Sequence, residues 1–246
     1  MKFKTKYVGI IVLAGLTLGC FLVSKYIFNP SSLSLPKDTG SIDYKVYWGI
    51  VPLGRAQITI NDNELYNGKE SILIEARAKT TGIMRILFDA WVEIYSVVDK
   101  ARMTPVMYHE VIFNRGKRES KILYYDQDKN ILKTEEGVYR ILPNTYDPVS
   151  ALFFLKHKKI KKGDSFDINV DSNQSNYGVK FDVVDEVQAR NQKLFVLKGL
   201  SQRRQGEKAR HRVEFTMYAG GEGNVPVLIK AFTPLGFVTI KIIPGS

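Results

Sequence analysis

The side chains of this sequence that could do chemistry are few and scattered. His109, His157 and His211 stand far apart, without the H-x-H or H-E-x-x-H spacing that would bring two imidazoles to one metal. His109 falls inside an alternating stretch and reads as a strand residue. His157 and His211 are flanked by basic residues and read as solvated. The single cysteine, Cys20, lies in an uncharged apolar run, so the rest of the chain has no thiol nucleophile, thiolate ligand or disulfide. There is no G-x-S-x-G elbow, and the Gly-Lys pair of "NGKES" lacks the upstream glycine of a phosphate loop. Two loops carry a calcium-like alternation: Asp126, Asp128 and Asn130 in "DQDKN", and Asp171, Asn173 and Ser175 in "DSNQSN". Each lacks the glycine and terminal Glu that complete such a loop, and Asp and Asn at these spacings are ordinary hairpin-turn residues. The expectation is a protein with no catalytic residue, metal or cofactor, and not an enzyme.

Charge is the next candidate for function. Lys plus Arg number 36 against 25 Asp plus Glu, a net charge of +11. Much of the excess sits in "KHKKIKK" and "RRQGEKARHR". Such runs are ordinarily solvated faces. Their functional reading is contact with anionic lipid headgroups or surface polysaccharide, with Lys158, Lys159, Lys161, Lys162, Arg203, Arg204, Arg210 and Arg212 as the contact residues. Nucleic acid is not expected as a partner of an exported domain.

Export is read from the amino terminus. Lys2, Lys4 and Lys6 precede the uncharged run from Tyr7 to Ser24, and Lys25 closes it. As a helix that run spans about 27 Å, close to the roughly 30 Å of a bilayer's hydrocarbon core. The lysine asymmetry holds the amino terminus in the cytoplasm. Three fates are open. An uncleaved single-pass anchor in the inner membrane fits the length best. A lipoprotein attached through Cys20 fits the lipobox-like "TLGC", although Thr17 stands where such motifs carry Leu. A cleaved signal peptide would need a small-x-small exit that is not clean here. Residues 1–25 are therefore an anchor or signal segment. Residues 26–41, rich in Pro, Ser and Gly, are a linker. Residues 42–246 are an exported domain in the periplasm or extracytoplasmic space.

From Ile42 onward the apolar period is two. Ile42, Tyr44, Val46 and Trp48 share a face, as do Ala56, Ile58 and Ile60. Similar runs recur to the end, separated by "NDNELYNGK", "NRGKRE", "DQDKN" and "GGEGN". The fold class is mainly β: about a dozen antiparallel strands in a curved half-barrel or barrel-like sheet, because a long flat sheet would leave exposed edges. One segment differs. "YDPVSALFFLKHKKIKKGD" opens with Asp147 as N-cap and Pro148 in the first turn, predicting one short helix over about 148–157, packed into the concave side of the sheet. Leu152, Phe153 and Leu155 on that helix, with Trp91, Tyr95 and Phe113 on strands, are the candidates for an apolar ligand groove; the plainer reading is a hydrophobic plug.

The stretches "DPVSALFFLK...IKKGDSFDINV", "YKVYWGIVPLGRAQITI" and "TPLGFVTIKI" resemble the bacterial envelope family called domain of unknown function 3108, over most of Ile42 to Ile243. The resemblance implies no reaction. It implies an exported β-rich domain resembling the curved sheet of the lipoprotein carriers LolA and LolB, which hold acyl chains against a concave sheet. The expected function is a membrane-tethered domain, attached through residues 7–24, that binds a lipid or other apolar envelope component. The alternative is a structural or assembly protein that docks an envelope protein and holds no small ligand.

Overall fold

A computed structural model describes residues 40–156, 158–189, 192–204, 213–220, 223–233 and 236–244. The expected membrane segment 7–24, Cys20, His157, His211, Arg210 and Arg212 lie outside the described residues. Among the described residues no helix is long and apolar enough to cross a membrane.

The alternation produces strands throughout: β1 (Ser41–Trp48), β2 (Val51–Tyr66), β3 (Lys69–Thr80), β4 (Ala90–Asp99), β5 (Thr104–Asn114), β6 (Lys117–Asp126), β7 (Ile131–Thr134), β8 (Gly137–Arg140), β9 (Thr145–Tyr146), β10 (Ser165–Ser172), β11 (Ser175–Ala189), β12 (Gln192–Arg203), β13 (Val213–Gly220), β14 (Val225–Thr233) and β15 (Gly236–Ile242). The count exceeds the expected dozen because β7, β8 and β9 hold four, four and two residues, too few to show a period of two.

All fifteen strands form one sheet in the order β8-β7-β6-β5-β4-β3-β2-β1-β15-β14-β13-β12-β11-β10-β9. Every pair is antiparallel except β9 with β10. The first and last strands lie side by side in the middle, from Tyr44↔Ile242 to Trp48↔Val238. The Ile243 N–H donates to the Asp43 carbonyl at 2.8 Å.

The two edge strands, β8 and β9, are consecutive in the chain, and side chains bridge the seam between them. Gln127 Nε2 donates to the Pro105 and Thr145 carbonyls at 3.1 and 2.9 Å. Asn176 accepts from the Leu142 N–H at 3.3 Å and donates to the Arg140 carbonyl at 3.3 Å. Asn169 donates to the Pro143 carbonyl at 2.7 Å. Side chains thus bridge the opening between the two short edge strands, while β7 pairs with β6 only from Tyr124 to Asp126 and β9 with β10 only at Asn169 and Val170.

Among the described residues two one-turn helices interrupt the strands, α1 (Ile83–Leu87) and α2 (Pro148–Leu152). Sequence reasoning did not anticipate α1. It did anticipate α2, but at about twice the observed length. Past Leu152 the chain continues as turns, and the Asn224 side chain donates to the Leu155 and Lys158 carbonyls at 3.0 and 2.7 Å, holding them away from a helical ladder. Antiparallel pairing gathers the connections at two ends. The β1–β2, β5–β6 and β14–β15 turns lie at one end with α1. The start of β1 and the β4–β5 and β6–β7 turns lie at the other, which α2 plugs.

Candidate functional site

The plugged end is built around Asp147. As N-cap of α2 it accepts from the Val149 and Ser150 N–H groups at 2.8 and 3.0 Å, and the Ser150 hydroxyl accepts from the Asp147 N–H at 3.1 Å, completing a capping box. The other carboxylate oxygen accepts from the Ser96 hydroxyl of β4 at 2.6 Å, which fastens the helix to the sheet. Behind this latch Val149 and Phe153 enter the main core beside Ile72, Ile74 and Val98. Leu155 enters a second cluster with Ile168, Phe181 and Leu197. The cavity left between the plug and β2–β4, lined by Ile60, Ile72, Tyr146 and Phe153, holds about 20 Å³, room for about one water. Beside β2–β4 the plug leaves no room for an acyl chain.

Inside the sheet next to the latch lies a cluster that the strand pattern did not suggest. Tyr108, Glu110, Tyr125, Asp147 and Asp171 are all buried. The Tyr108 hydroxyl donates to Glu110, and Lys121 Nζ pairs with Glu110 at 3.2 Å. Burial pushes the Asp171 carboxyl up to about 7, with the Lys121 ammonium opposing and the Asp147 carboxylate reinforcing the rise. Burial also raises Asp147, against the pull of its hydrogen bond from Ser96, and raises both tyrosines. Asp171 Oδ2 and the Tyr125 hydroxyl influence each other's titration but do not meet in good hydrogen-bond geometry. A carboxyl raised toward neutrality is a pattern of acid–base sites. Here Asp147 fastens α2 to the sheet through Ser96, and Glu110 and Asp171 are buried within the sheet. Asp171, read from sequence as a turn residue, is 2% exposed; the turn is made by Asn173 and Gln174, both at positive φ. The other acidic loop is a turn as expected, with Asp126 accepting from the Lys129 N–H at 3.0 Å and Asp128 paired to Arg102 at 2.8 Å.

The six residues expected to line one groove are not brought together. Trp91 stacks on Phe113 at 5.6 Å and Tyr95 on His109 at 5.9 Å, pairs directly across β4 and β5. They lie on the face opposite Val92, Ile94 and Ile112, which belong to the core, because successive strand residues alternate faces. Leu152, Phe153 and Leu155 are inside, across the sheet. The basic candidates are also divided. Lys158 lies over the Phe154 and Phe166 rings at 4.6 and 5.7 Å, Lys162 pairs with Asp185 at 2.8 Å, and Lys159 and Lys161 are exposed. Arg203 donates to the Ser175 hydroxyl at 3.1 Å and Arg204 to Asp167 at 3.2 Å.

The surface that sequence reasoning missed is the opposite end. In α1 only Met84 is buried, against Val46, Leu53 and Val238. Gly82, at φ 58, turns the chain into the helix, and Ile83, Ile86 and Leu87 project outward, Ile86 with 84% of its surface exposed. Beside it the β1–β2 turn presents Ile50 and Val51. On the β14–β15 hairpin Phe232 and Phe237 face each other, ring centroids 4.9 Å apart and more than half exposed. These tips are tied together: the Gly49 N–H donates to the Phe237 carbonyl at 2.8 Å and the Thr81 N–H to the Leu53 carbonyl at 3.1 Å. Arg115 donates to the Leu87 carbonyl at 3.1 Å and covers the Phe88 ring at 5.2 Å. The signal was present in "TGIMRILFDA", where apolar residues surround Arg85, but it was too short to be read as an element.

The profile of a family described as "Protein of unknown function (DUF3108)" matches residues 43–243. No curated protein matches the chain. Among solved structures it is similar to a β-barrel-like protein of the domain of unknown function DUF1849 from Brucella abortus, with a TM-score of 0.57 and 10% identity over 82% of this chain and 94% of that one. That likeness extends to the fold alone.

Proposed function

From membership of the DUF3108 family, to which this chain belongs, we propose that it is a membrane-tethered extracytoplasmic β-domain that binds a lipid or other apolar component of the cell envelope, at the α1 end and not within the sheet. The observation that carries this reading is the gathering of Ile50, Val51, Ile83, Ile86, Leu87, Phe232 and Phe237 at one end, each more than a third exposed. Exposed apolar side chains gathered at one end of a folded protein are a feature of interaction sites. The tether is the uncharged run Tyr7 to Ser24, and a reporter that works only outside the cytoplasm, fused after Ser246, is expected to be active.

Titrating an apolar fluorescent probe into the protein and into the Ile83→Ser/Ile86→Ser variant tests the binding reading. Several-fold weaker probe binding by a variant that melts at the unchanged temperature supports it. Equal binding by both proteins sinks it. The filled interior favours a second reading, in which the same end docks an envelope protein and the domain holds no small ligand. Probe binding too weak to saturate, with one defined protein partner lost in the double variant, would favour that reading.

A further inference from the structure

Charge around the α1 end narrows what it binds. Arg55 and Lys79 oppose each other across β2 and β3, Arg115 caps α1, and Lys117 and Arg118 begin β6 just beyond the same turn. All five are exposed, and none has an ion-pair partner among the described residues. The carboxylates nearby are Glu119, Asp89 and Glu214; Asp89 is held by Arg85 at 3.5 Å, and Glu214 on β13 lies across from Phe232, on the side of the end away from the five cations. The apolar residues sit on a one-turn helix, on the β1–β2 turn and on facing strand positions of β14 and β15. Protein hot spots favour pockets that enclose an anchor. Exposed apolar side chains bordered by cations without ion-pair partners suit the boundary between lipid headgroups and acyl chains, where apolar groups enter by about 5–10 Å.

The geometry points to an anionic bilayer surface as the occupant of the α1 end. Ile50, Ile83, Ile86 and the Phe232–Phe237 pair enter the headgroup layer, and Arg55, Lys79, Arg115, Lys117 and Arg118 meet its phosphates. This rests on the reading of that end as the binding surface. The tether permits it: the contour length of residues 26–40, roughly 50 Å, exceeds the rise of β1, about 26 Å, so a chain held at residues 7–24 can lay its far end on the same membrane.

The full chain tests this, with Cys20→Ser and a single environment-sensitive label at Ile86→Cys or, as control, Lys159→Cys. It is reconstituted into vesicles of phosphatidylcholine alone or mixed with phosphatidylglycerol. The label at 86 is expected to shift to the blue and to be quenched by lipid-borne bromines in the mixed vesicles, while the label at 159 stays in water. Lys79→Gln and Arg115→Gln should each lower the ratio of inserted to free label about fivefold, and added salt should do the same. An equal response in both vesicles overturns the anionic preference. No response in either, with the soluble apolar probe still bound at this end, overturns the bilayer and leaves the binding surface standing. No response and no probe binding removes both.

Discussion

At the plugged end Val149, Phe153 and Leu155 turn inward and Asp147 clasps Ser96 at 2.6 Å. At the α1 end side chains of the same kind turn outward around a single anchor, Met84. Both ends carry a one-turn helix from an apolar stretch of sequence. One helix is capped, hydrogen-bonded and buried, whereas the other has no side-chain cap and is mostly exposed. The contrast separates two uses of apolar residues: burial stabilises the fold by about 1.5–3 kcal/mol for each large side chain, and exposure leaves that free energy available to a partner.

Emptying the plug should give the largest effect on stability. Phe153→Ala and Leu155→Ala are each expected to lower it by about 2–5 kcal/mol, measured by chemical denaturation. A loss below about 1 kcal/mol would mean that the interior tolerates an empty plug and can act as a cavity. Asp147→Ala removes the cap and leaves Ser96 without its acceptor, for an expected loss of about 1–3 kcal/mol. Asp147→Asn should recover part of it.

The pH dependence of the plugged end follows from Asp171. Its carboxyl value rises to about 7 on folding, so between the ordinary carboxylate range and neutrality the folded state binds more protons than the unfolded one. Stability contributed by Asp171 is present at low pH and is lost as pH rises toward 7. The melting temperature should fall between pH 5 and pH 7, and Asp171→Asn should flatten that slope and stabilise the protein at pH 8 by on the order of 2 kcal/mol. A profile unchanged by Asp171→Asn would place the titration elsewhere in the cluster. The smallest expected effect is at the other end: Ile86→Ser should stay within about 0.5 kcal/mol of the parent while apolar-probe binding falls several-fold. A large stability loss there would erase the distinction between the ends.

The long strands were legible because their alternation repeats, and the Asp147 cap because Asp-Pro before an apolar cluster has a local meaning. Which face of β4 looks inward was not legible. Trp91, Tyr95 and Val97 on one side are as apolar as Val92, Ile94 and Val98 on the other, and only the closing of the sheet decides between them. That ambiguity is why residues from opposite faces were assigned to one groove. The inward carboxyls of Glu110 and Asp171 were hidden for the converse reason: a charge in an alternating strand is ordinarily the solvent side, and while Glu110 is met by Tyr108 and Lys121 from its own hairpin, the Lys121 and Tyr125 that influence Asp171 come from a distant strand. Ser96 is as far from Asp147 in sequence as β4 is from α2. The α1 end escaped notice because its parts are three separate turns, each unremarkable by itself.

The pairing of β1 with β15 also has a consequence for chain connectivity. From β1 to β8 each strand lies next to its successor, and so do the strands from β9 to β15. The long-range step is the β1–β15 ladder, which also brings Asp43 and Ile243 into hydrogen-bond contact. Joining the ends there and opening the chain in the 141–144 connection would give a circular permutant whose fifteen strands run through the sheet in strict order, from β9 through β15 and β1 to β8. Every ladder would then link sequence neighbours, and because local contacts close faster than distant ones, such a permutant should fold more quickly than the natural order while the seam side chains meet last.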